Sequence, residues 1–544
     1  MGKKITIDPI TRIEGHLRID VEVENGKVVD AWSSAQLFRG LEIILKGRDP
    51  RDAPLITQRV CGVCTYVHML ASSMAVDDAV GVEIPDNARL LRNLMMGAHF
   101  IHDHVVHFYH LHALDWVDLV SALSASPKKT AELANAVSNA PGQGAKDFKA
   151  VQDKLKAFVK TGQLGPFANA YWGHPAYKLP PEANLMAVKH YLDALKMQVK
   201  IAQLTAIFGG KNPHLQSTVP GGVTCGRDLN ADRISEYLFM LKEIRDFVDN
   251  VYLPDVLAVA SFYKDWGAIG GCHNFLAYGQ QPNAKGDPNP RFLPSGYIMN
   301  RKLVAHEIDA EAITEDVTRS WYKDDKPRHP YQGKTQPIKP DYDYEGKYSF
   351  LKAPRYQGEP MEVGPLAHVL VAYATGMPQA KALVDKVLKA LDVPATALFS
   401  TLGRTAARCI ETKLLADKLF DDVNQLIANL KKGKTETWRS FKMDNGQGAG
   451  MVDVPRGALG HWIKMKDGKI ENYQMVVPST WNLGPRCAKG KKGPVEEALI
   501  GTPIADPEKP LEVLRTVHSF DPCIACGVHV IDRNSGDEYD VKVL

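Results

Sequence analysis

The stretch Arg59-Val60-Cys61-Gly62-Val63-Cys64-Thr65-Tyr66-Val67-His68 places two cysteines three positions apart and a histidine four positions later. Gly62 allows a tight backbone turn, so both sulfurs can face one point. Thiolates are soft ligands and favour nickel, iron, zinc or copper(I). For a single pair of this kind, a structural zinc knuckle or a chance spacing explains the pattern equally well.

A second stretch near the other end repeats the pattern: Asp521-Pro522-Cys523-Ile524-Ala525-Cys526-Gly527-Val528-His529. In zinc ribbons, the two cysteine pairs lie about 15–20 residues apart. Here Cys64 and Cys523 are 459 positions apart (523 − 64). Ligands so far apart in the sequence are poorly suited to a metal site that only stabilises the fold. We therefore expect a buried catalytic metal that is held where the two ends of the fold meet.

Length and composition describe a large globular protein with a near-neutral charge. The chain has 544 residues, of which 44% are hydrophobic and 24% charged, and its formal net charge is +3. This balance predicts no nucleic-acid partner. Eight cysteines are too few for a disulfide scaffold of this size. The first residues lack the apolar segment of a secretory signal, so any export would depend on a partner.

Local patterns predict an α+β protein that is predominantly helical, with a central bundle of long helices and smaller antiparallel strands. Alternating apolar and charged residues around Asn25-Gly26 predict an N-terminal β-hairpin. Helical periodicity marks the segments 86–122, 182–208, 230–250, 377–392, 403–432 and 509–520. The segment 323–360 is rich in Pro, Gly and charged residues and predicts a long ordered loop.

We expect one multi-lobed unit over residues 1–529. The hairpin and the first cysteine pair would occupy 1–80, the helical centre 81–440, and the lobe with the second cysteine pair 441–529.

Both cysteine motifs resemble the signatures of the large subunit of nickel–iron hydrogenases. Further family-like stretches lie at 12–16, 38–42, 107–116, 213–214, 353–356, 455–457 and 477–482. The resemblance covers essentially the whole chain and is greatest to the respiratory uptake group. It implies that family's large-subunit fold.

The resemblance implies the ligands of a two-metal centre. Nickel would be held by Cys61, Cys64, Cys523 and Cys526. Cys64 and Cys526 would also bridge to an iron that carries carbon monoxide and two cyanides. His68 would donate a hydrogen bond to the Cys64 thiolate rather than bind the metal.

The resemblance also implies a pocket around the cyanides. Arg456 and Ser479 match the residues that face them, and an arginine offers a permanently charged fork of donors. The other pocket residues, by resemblance, are Pro455, Pro478, Asp103 and Asp521.

Two residues match the family's candidates for the base that removes the proton. Glu14 matches the proton relay that would take a proton from the Cys523 thiolate, and burial in an apolar setting would raise its pKa towards neutrality. Without the resemblance, an ion pair of Glu14 with Arg12 or Arg18 would be favoured. Arg456 is the alternative base, and the sequence does not decide between the two.

A further metal and a gas tunnel complete the implied site. Glu42, His529 and the backbone carbonyl of Met475 match the ligands of a magnesium (or iron) ion. Val63 and Leu111 match positions that narrow the gas tunnel, a role compatible with ordinary packing. The histidines between 99 and 112 are expected to be hydrogen-bonded between helices rather than to hold another metal.

Fifteen residues follow His529 (544 − 529). Members of the family carry such a tail until a dedicated endopeptidase removes it after nickel insertion. The resemblance implies cleavage between His529 and Val530, so that the extension 530–544 is lost. A plain terminal strand is the alternative.

The implied activity is the reversible heterolytic cleavage of H2. The remaining cysteines do not form an iron–sulfur motif, so the electrons require a small subunit that carries the iron–sulfur clusters. Cytochrome c or a membrane cytochrome b would be the acceptor. The uptake group is exported on its partner's signal, which implies the periplasm or the periplasmic face of the membrane; a cytoplasmic enzyme is the alternative.

Two other functions remain open at this point. One is a structural zinc protein, which metal analysis would distinguish. The other is the related quinone-reducing subunit of respiratory complexes, which has typically lost the four cysteines present here.

Overall fold

A computed structural model describes residues 3–165, 167, 171–323 and 326–524. Two predicted metal ligands, Cys526 and His529, and the predicted cleavage position between His529 and Val530 lie outside the described residues.

Helices make up most of the regular structure. The α-helices are α1 (Leu41–Ile44), α2 (Ala53–Thr57), α3 (Val67–Ala79), α4 (Asp86–Val106), α5 (Pro127–Val137), α6 (Ala145–Lys160), α7 (Pro181–Gly209), α8 (Ala231–Phe247), α9 (Leu253–Phe262), α10 (Pro365–Ala374), α11 (Pro378–Leu391), α12 (Thr401–Lys431), α13 (Pro478–Leu483), α14 (Pro494–Leu499) and α15 (Leu511–Ser519).

The strands are short and antiparallel. They are β1 (Lys3–Ile7), β2 (Leu17–Glu24), β3 (Lys27–Ala35), β4 (Thr218–Val219), β5 (Gly222–Val223), β6 (Phe275–Ala277), β7 (Gln280–Pro282), β8 (Arg291–Leu293), β9 (Gly296–Ile298), β10 (Ile313–Asp316), β11 (Ala353–Tyr356), β12 (Gly446–Val454), β13 (Gly457–Lys466) and β14 (Lys469–Val476).

The long helices α4, α7, α8 and α12 pack side by side and form the predicted central bundle. Local signals set their ends: Pro181 occupies the first position of α7, and the Ser400 side chain accepts a hydrogen bond from Gly403 N–H at the start of α12. The core that this bundle encloses includes Cys61, Cys64 and Cys523. Among the described residues, no helix is both long and apolar enough to span a bilayer.

Two helix predictions had the wrong ends. The segment 86–122 is not one helix, because α4 gives way to a π-helical turn at His107–His112 and a 3₁₀ turn at Ala113–Asp115. The Arg12 guanidinium binds the Leu111 carbonyl at this point. The segment 230–250 continues through a second π-helical turn, Val248–Tyr252, into α9. Pro254 is tolerated there because it lies in the first turn of α9.

The predicted hairpin is confirmed, and β1 adds a third strand to it. Glu24 pairs with Lys27 across Asn25 and Gly26, and both turn residues have positive φ, at 50° and 71°. The two-residue Asn-Gly turn matches the twist of the flanking strands, which is why its sequence signal was reliable.

The second three-stranded sheet, β12-β13-β14, positions the metal centre. Its first strand lies against α3, the helix that begins three residues after Cys64. The approach is so close that a Cβ at Gly450 would lie 1.9 Å from the Ala71 carbonyl oxygen. At its far end, Val454 pairs with Gly457, and the turn between them carries Pro455 and Arg456.

Candidate metal centre

Three cysteine sulfurs from opposite ends of the chain meet in the core. Cys61 Sγ lies 3.2 Å from Cys523 Sγ, and Cys64 Sγ lies 3.9 Å from the same atom. The three sulfurs all lie within 4.8 Å of one another and are buried. This confirms the expectation that the two ends of the fold come together at the cysteine pairs.

The spacing of these sulfurs suits a shared soft metal. A metal–thiolate bond is about 2.3 Å long, so two sulfurs on one ion are separated by at most about 4.6 Å. Both measured separations satisfy this limit. A fourth sulfur, from Cys526, is outside the described residues.

Backbone contacts hold the two cysteine segments in place. The N–H groups of Val63 and Cys64 donate to Cys61 Sγ at 3.3 and 3.2 Å, which closes the turn of the first pair. Glu14 forms a parallel bridge with Cys523, in which Glu14 N–H donates to the Pro522 carbonyl and Ile524 N–H donates to the Glu14 carbonyl. The start of the chain therefore fixes the second cysteine segment directly.

Arg456 is buried between two carboxylates above the sulfurs. Its guanidinium donates to Asp103 Oδ2 at 2.8 Å and to Asp521 Oδ1 at 3.0 Å. Although burial opposes the charge, Asp521 and Asp103 together with Cys523 and Cys64 raise the pKa of Arg456 well above its usual value. Arg456 is thus a fixed cation beside the metal position.

The two carboxylates differ in their surroundings. Burial alone would raise the pKa of Asp103, but the charges of His99 and Arg456 hold it down at about 2. For Asp521, burial outweighs the attraction of Arg456 and Arg408, and its pKa is raised. Asp103 therefore keeps its negative charge down to a lower pH than Asp521 does, and it is the more stable anionic partner of Arg456.

A small cavity adjoins Cys64, Cys523 and Arg456. It is lined by Cys64, Val67, His68, Val454, Pro455, Arg456, Pro478, Ser479 and Cys523. The Ser479 hydroxyl accepts a hydrogen bond from Cys523 N–H at 3.1 Å, so its own proton can point into the cavity. The structure thus brings together every residue that the sequence placed around the diatomic ligands, apart from Cys526 and the two carboxylates just described.

His68 has a partner that the sequence did not predict. Its Nδ1 lies 3.0 Å from His461 Nε2, and His461 Nδ1 lies 2.7 Å from the Tyr473 hydroxyl. Burial lowers the pKa of His68 to about 4, against the opposing effect of Cys61. The imidazole is therefore neutral, and if Nδ1 accepts from His461, then Nε2 carries the proton and can donate. The β13 and β14 partners lie some 400 positions away, which is why the sequence gave no signal for them.

Glu14 is placed beside Cys523 and not in the ion pairs that the hairpin alone suggested. Its Oε2 lies 3.5 Å from Cys523 Sγ. Arg12 instead pairs with Asp115, and Arg18 pairs with Asp20. Glu14 is only half-buried, so it connects the sulfur with the outside of the core.

Two of the three predicted magnesium ligands, Glu42 and Met475, lie near each other but in an unexpected arrangement, and the third, His529, is outside the described residues. Glu42 Oε1 accepts from the backbone N–H of Met475 at 2.8 Å. The Lys352 ammonium lies between Glu42, at 3.3 Å, and Glu315, at 3.2 Å. Sequence reasoning missed Lys352, although it lies next to the family-like stretch 353–356.

The other predicted positions are less informative. Val63 and Leu111 are half-buried, and both remain candidates for narrowing a tunnel. The ligand atoms of His99, His102 and Asp103 all lie within 4.8 Å of one another. Because Asp103 is already bound to Arg456, we assign this group to the surroundings of the arginine and not to another metal.

A helical protein with a buried thiol cluster, a fixed arginine and an adjacent glutamate has the features of a metalloenzyme that uses a soft metal. The chain belongs to the nickel-dependent hydrogenase family, whose model matches residues 39–529. A second model, described as HoxL-like, matches residues 4–34. The chain is accordingly the catalytic large subunit of a hydrogenase, an oxidoreductase that acts on H2 with nickel and iron. This decides against both the structural-zinc and the quinone-reducing-subunit alternatives.

Relatives match over the full chain. The uptake hydrogenase large subunit of Rhizobium leguminosarum bv. viciae is 48% identical, and the match covers 100% of this chain and 98% of the relative. The quinone-reactive Ni/Fe-hydrogenase large chain of Wolinella succinogenes is 47% identical, with the same coverage. The hydrogenase-2 large chain of Escherichia coli K12 is 45% identical, with 100% of both chains covered.

Solved structures confirm the predicted fold class. The H2-activated [NiFeSe]-hydrogenase of Dm. baculatum has a TM-score of 0.78 at 37% identity, covering 97% of this chain and 100% of the other. The as-isolated, oxidised Ni-Fe-Se hydrogenase of D. vulgaris Hildenborough has a TM-score of 0.80 at 35% identity, with the same coverage. Both are named as selenium enzymes, whereas the sequence of this chain contains no selenocysteine.

Proposed function

We propose that this subunit oxidises H2 in an uptake enzyme, with nickel held by Cys61, Cys64, Cys523 and Cys526. Cys64 and Cys526 would also hold an iron that carries carbon monoxide and two cyanides. The observation that carries this proposal is the meeting of three sulfurs beside the cavity lined by Arg456. Thiolates are the donors that such soft metals select.

The bound metal pair would supply the Lewis acidity that polarises H2 for heterolytic cleavage. Glu14 Oε2, 3.5 Å from Cys523 Sγ, takes the proton from that sulfur and passes it outward. Arg456 is a poorer base, because its two carboxylates keep the guanidinium protonated. The geometry therefore favours Glu14 between the two candidates.

Arg456 and Ser479 have a different task at the site. Both side chains line the cavity, where their donors would hydrogen-bond the cyanides, and Pro455 and Pro478 would help to exclude water. A fixed cation in a buried pocket stabilises charge without further rearrangement.

The second metal site is proposed at Glu42. Magnesium would bind the Glu42 carboxylate, the Met475 carbonyl and His529, the last being outside the described residues. Lys352 already contacts Glu42, so the ion and the ammonium would share this carboxylate. Oxygen ligands of this kind suit magnesium.

The partners are proposed from the family and the relatives. A small subunit with iron–sulfur clusters receives the electrons and forms a heterodimer with this chain. The names of the uptake and quinone-reactive relatives favour a membrane acceptor, such as a cytochrome b, over a soluble cytochrome c. We propose a periplasmic location, reached by export with the small subunit, and maturation by an endopeptidase that cleaves between His529 and Val530.

Infrared spectroscopy and metal analysis of the purified heterodimer test the metal centre together. The proposal predicts one nickel at the cysteine cluster, bands of one metal-bound carbon monoxide and two cyanides, and loss of nickel in a Cys523→Ser variant. Zinc as the only metal, or active enzyme without these bands, would contradict it.

A further inference from the structure

A group of four fully buried ionisable side chains lies outside the metal centre, and we call it the His368 network (His104, His368, Glu411 and Asp453). His368 Nδ1 lies 2.7 Å from Glu411 Oε1, and His104 Nε2 lies 2.9 Å from Glu411 Oε2. His368 Nε2 forms an ion pair with Asp453 Oδ1 at 3.3 Å. Four elements contribute one side chain each: α4, α10, α12 and β12.

The charges of His368 and Glu411 are fixed at neutral pH. Burial would lower the pKa of His368, but Asp453 and Glu411 raise it to about 10. The pKa of Glu411 is about 2, because His368 and His104 outweigh the effect of burial. One imidazolium therefore lies between two carboxylates. An ion pair of this kind, once buried, is costly to break from either side.

The network is attached to Arg456 from the strand side. Asp453 is three positions before Arg456, at the end of β12. Its carboxylate also accepts from the N–H groups of Tyr278 and Gly279, at 2.9 and 2.6 Å. The Asp453 carboxylate, close to the Arg456 turn, therefore makes three contacts, of which the one with His368 is the charged one.

The network is attached to Arg456 from the helix side as well. Gly364 precedes α10, and a Cβ there would lie 3.0 Å from the Arg456 carbonyl oxygen. His368 lies one helical turn further on, where its N–H donates to the Gly364 carbonyl. On α4, His104 follows Asp103, the carboxylate that binds the Arg456 guanidinium. Gly364, which lies against the Arg456 carbonyl, is thus one helical turn from His368. Asp103, which binds the Arg456 guanidinium, is the residue next to His104.

We propose that His368 is a positioning residue for Arg456, because its pairs with Glu411 and Asp453 tie the Arg456 turn to α10 and α12. The inference rests on the proposed place of Arg456 beside the cyanides. An arginine that moves by about 1 Å loses its alignment with the group it binds, and such misplacements cost up to about 10²-fold in rate.

The test compares His368→Gln with a matched control, His190→Gln, in the nickel-loaded heterodimer. His190 is also buried and lies 2.8 Å from a carboxylate, that of Asp255, but it is not in contact with the His368 network. We expect His368→Gln to shift the cyanide stretching bands and to lower kcat at least tenfold with little change in KM. His190→Gln should leave the bands unchanged.

A double-variant experiment separates positioning from a general loss of stability. If His368 acts through Arg456, then His368→Gln should lower kcat less than twofold in an Arg456→Lys background. Equal effects of His368→Gln in both backgrounds, or unchanged bands and kcat in the single variant, would overturn the inference. If His368→Gln does not load nickel, Asp453→Asn applies the same comparison in the two Arg456 backgrounds. The single asparagine oxygen can keep the bond from Tyr278 or from Gly279 but not both, because the two N–H groups donate to different oxygens of Asp453.

A different result would show that the proposed metal centre, and not the role of His368, is wrong. Wild-type enzyme without cyanide bands would contradict the proposed function. The kcat comparison in the two Arg456 backgrounds would still decide whether His368 positions the arginine.

Discussion

Glu14 and Arg456 both flank Cys523, but they differ in the state in which the protein holds them. Arg456 is enclosed by Asp103 and Asp521 and is kept charged. Glu14 is half-buried, close to the sulfur and open towards the surface. A proton carrier must change its protonation state in every turnover, and of these two residues Glu14 is the one whose position suits the proposed role.

Glu14→Gln should therefore lower the kcat of H2 oxidation by about 10²–10⁴-fold, because the amide cannot accept the proton. Nickel content and the infrared bands should stay as in the wild type, since Gln keeps the shape of the side chain. Glu24→Gln, at the exposed end of β2, serves as the control and should leave kcat unchanged. A Glu14→Gln enzyme with normal kcat would assign the proton transfer to another group.

His368 gives a pH dependence with a defined sign. Its pKa of about 10 in the folded protein is above the value of about 6.5 for a free imidazole. The folded state thus holds the proton more tightly, and the stabilisation is complete below about pH 6.5 and lost as the pH rises through about 10. The apparent Tm of wild type should fall more between pH 7 and 10 than that of His368→Gln. Parallel curves for the two proteins would contradict the charged state of His368.

At the level of elements, the β12–β13 turn is the most constrained part of the site. Gly457 has a φ of 129°, and a Cβ there would lie 2.5 Å from Gly364 N. Gly468, in the next turn of the same sheet, also has positive φ, at 69°, but a Cβ there has nothing within 4 Å. An alanine at Gly468 would therefore introduce backbone strain alone, whereas an alanine at Gly457 would introduce strain and a steric clash with Gly364.

Gly468→Ala should cost about 1 kcal/mol of unfolding free energy, the penalty for an alanine with positive φ. Gly457→Ala should cost about 3 kcal/mol or more and reduce nickel loading, because α10 must also move away from the Arg456 turn. Thermal unfolding and metal analysis check both variants. Equal effects of the two substitutions would show that the contact with Gly364 does not constrain the turn.

The sequence was informative about elements whose signals are local. The Asn25-Gly26 hairpin, α7 and α12 could be predicted because turn and cap residues mark their ends. The π-helical turns at 107–112 and 248–252 could not, since a single extra residue barely disturbs helical periodicity. The contact of β12 with α3 likewise depends on a distant element that no local pattern reveals.

At the scale of the whole molecule, the fold brings the two ends of the chain to one point. The cysteines, Glu14, Arg456 and Ser479 could be placed because their motifs resemble a family. His461, Lys352 and the His368 network could not, because each is defined only by contacts between distant segments. Buried charged pairs of this kind carry no signature along the sequence.

The C-terminal tail gives a prediction for the complete protein. Under the proposed maturation, intact-mass measurement of the active heterodimer should show a large subunit that ends at His529, without residues 530–544. Active enzyme that retains the tail would contradict this order of maturation.

The central claim is that sulfurs from both ends of the chain hold one nickel ion. Anomalous diffraction at the nickel edge, from crystals of the purified heterodimer, locates that ion directly. We predict a single strong nickel peak about 2.3 Å from Sγ of Cys61, Cys64 and Cys523. A nickel peak away from these sulfurs, or none in active enzyme, would contradict the account.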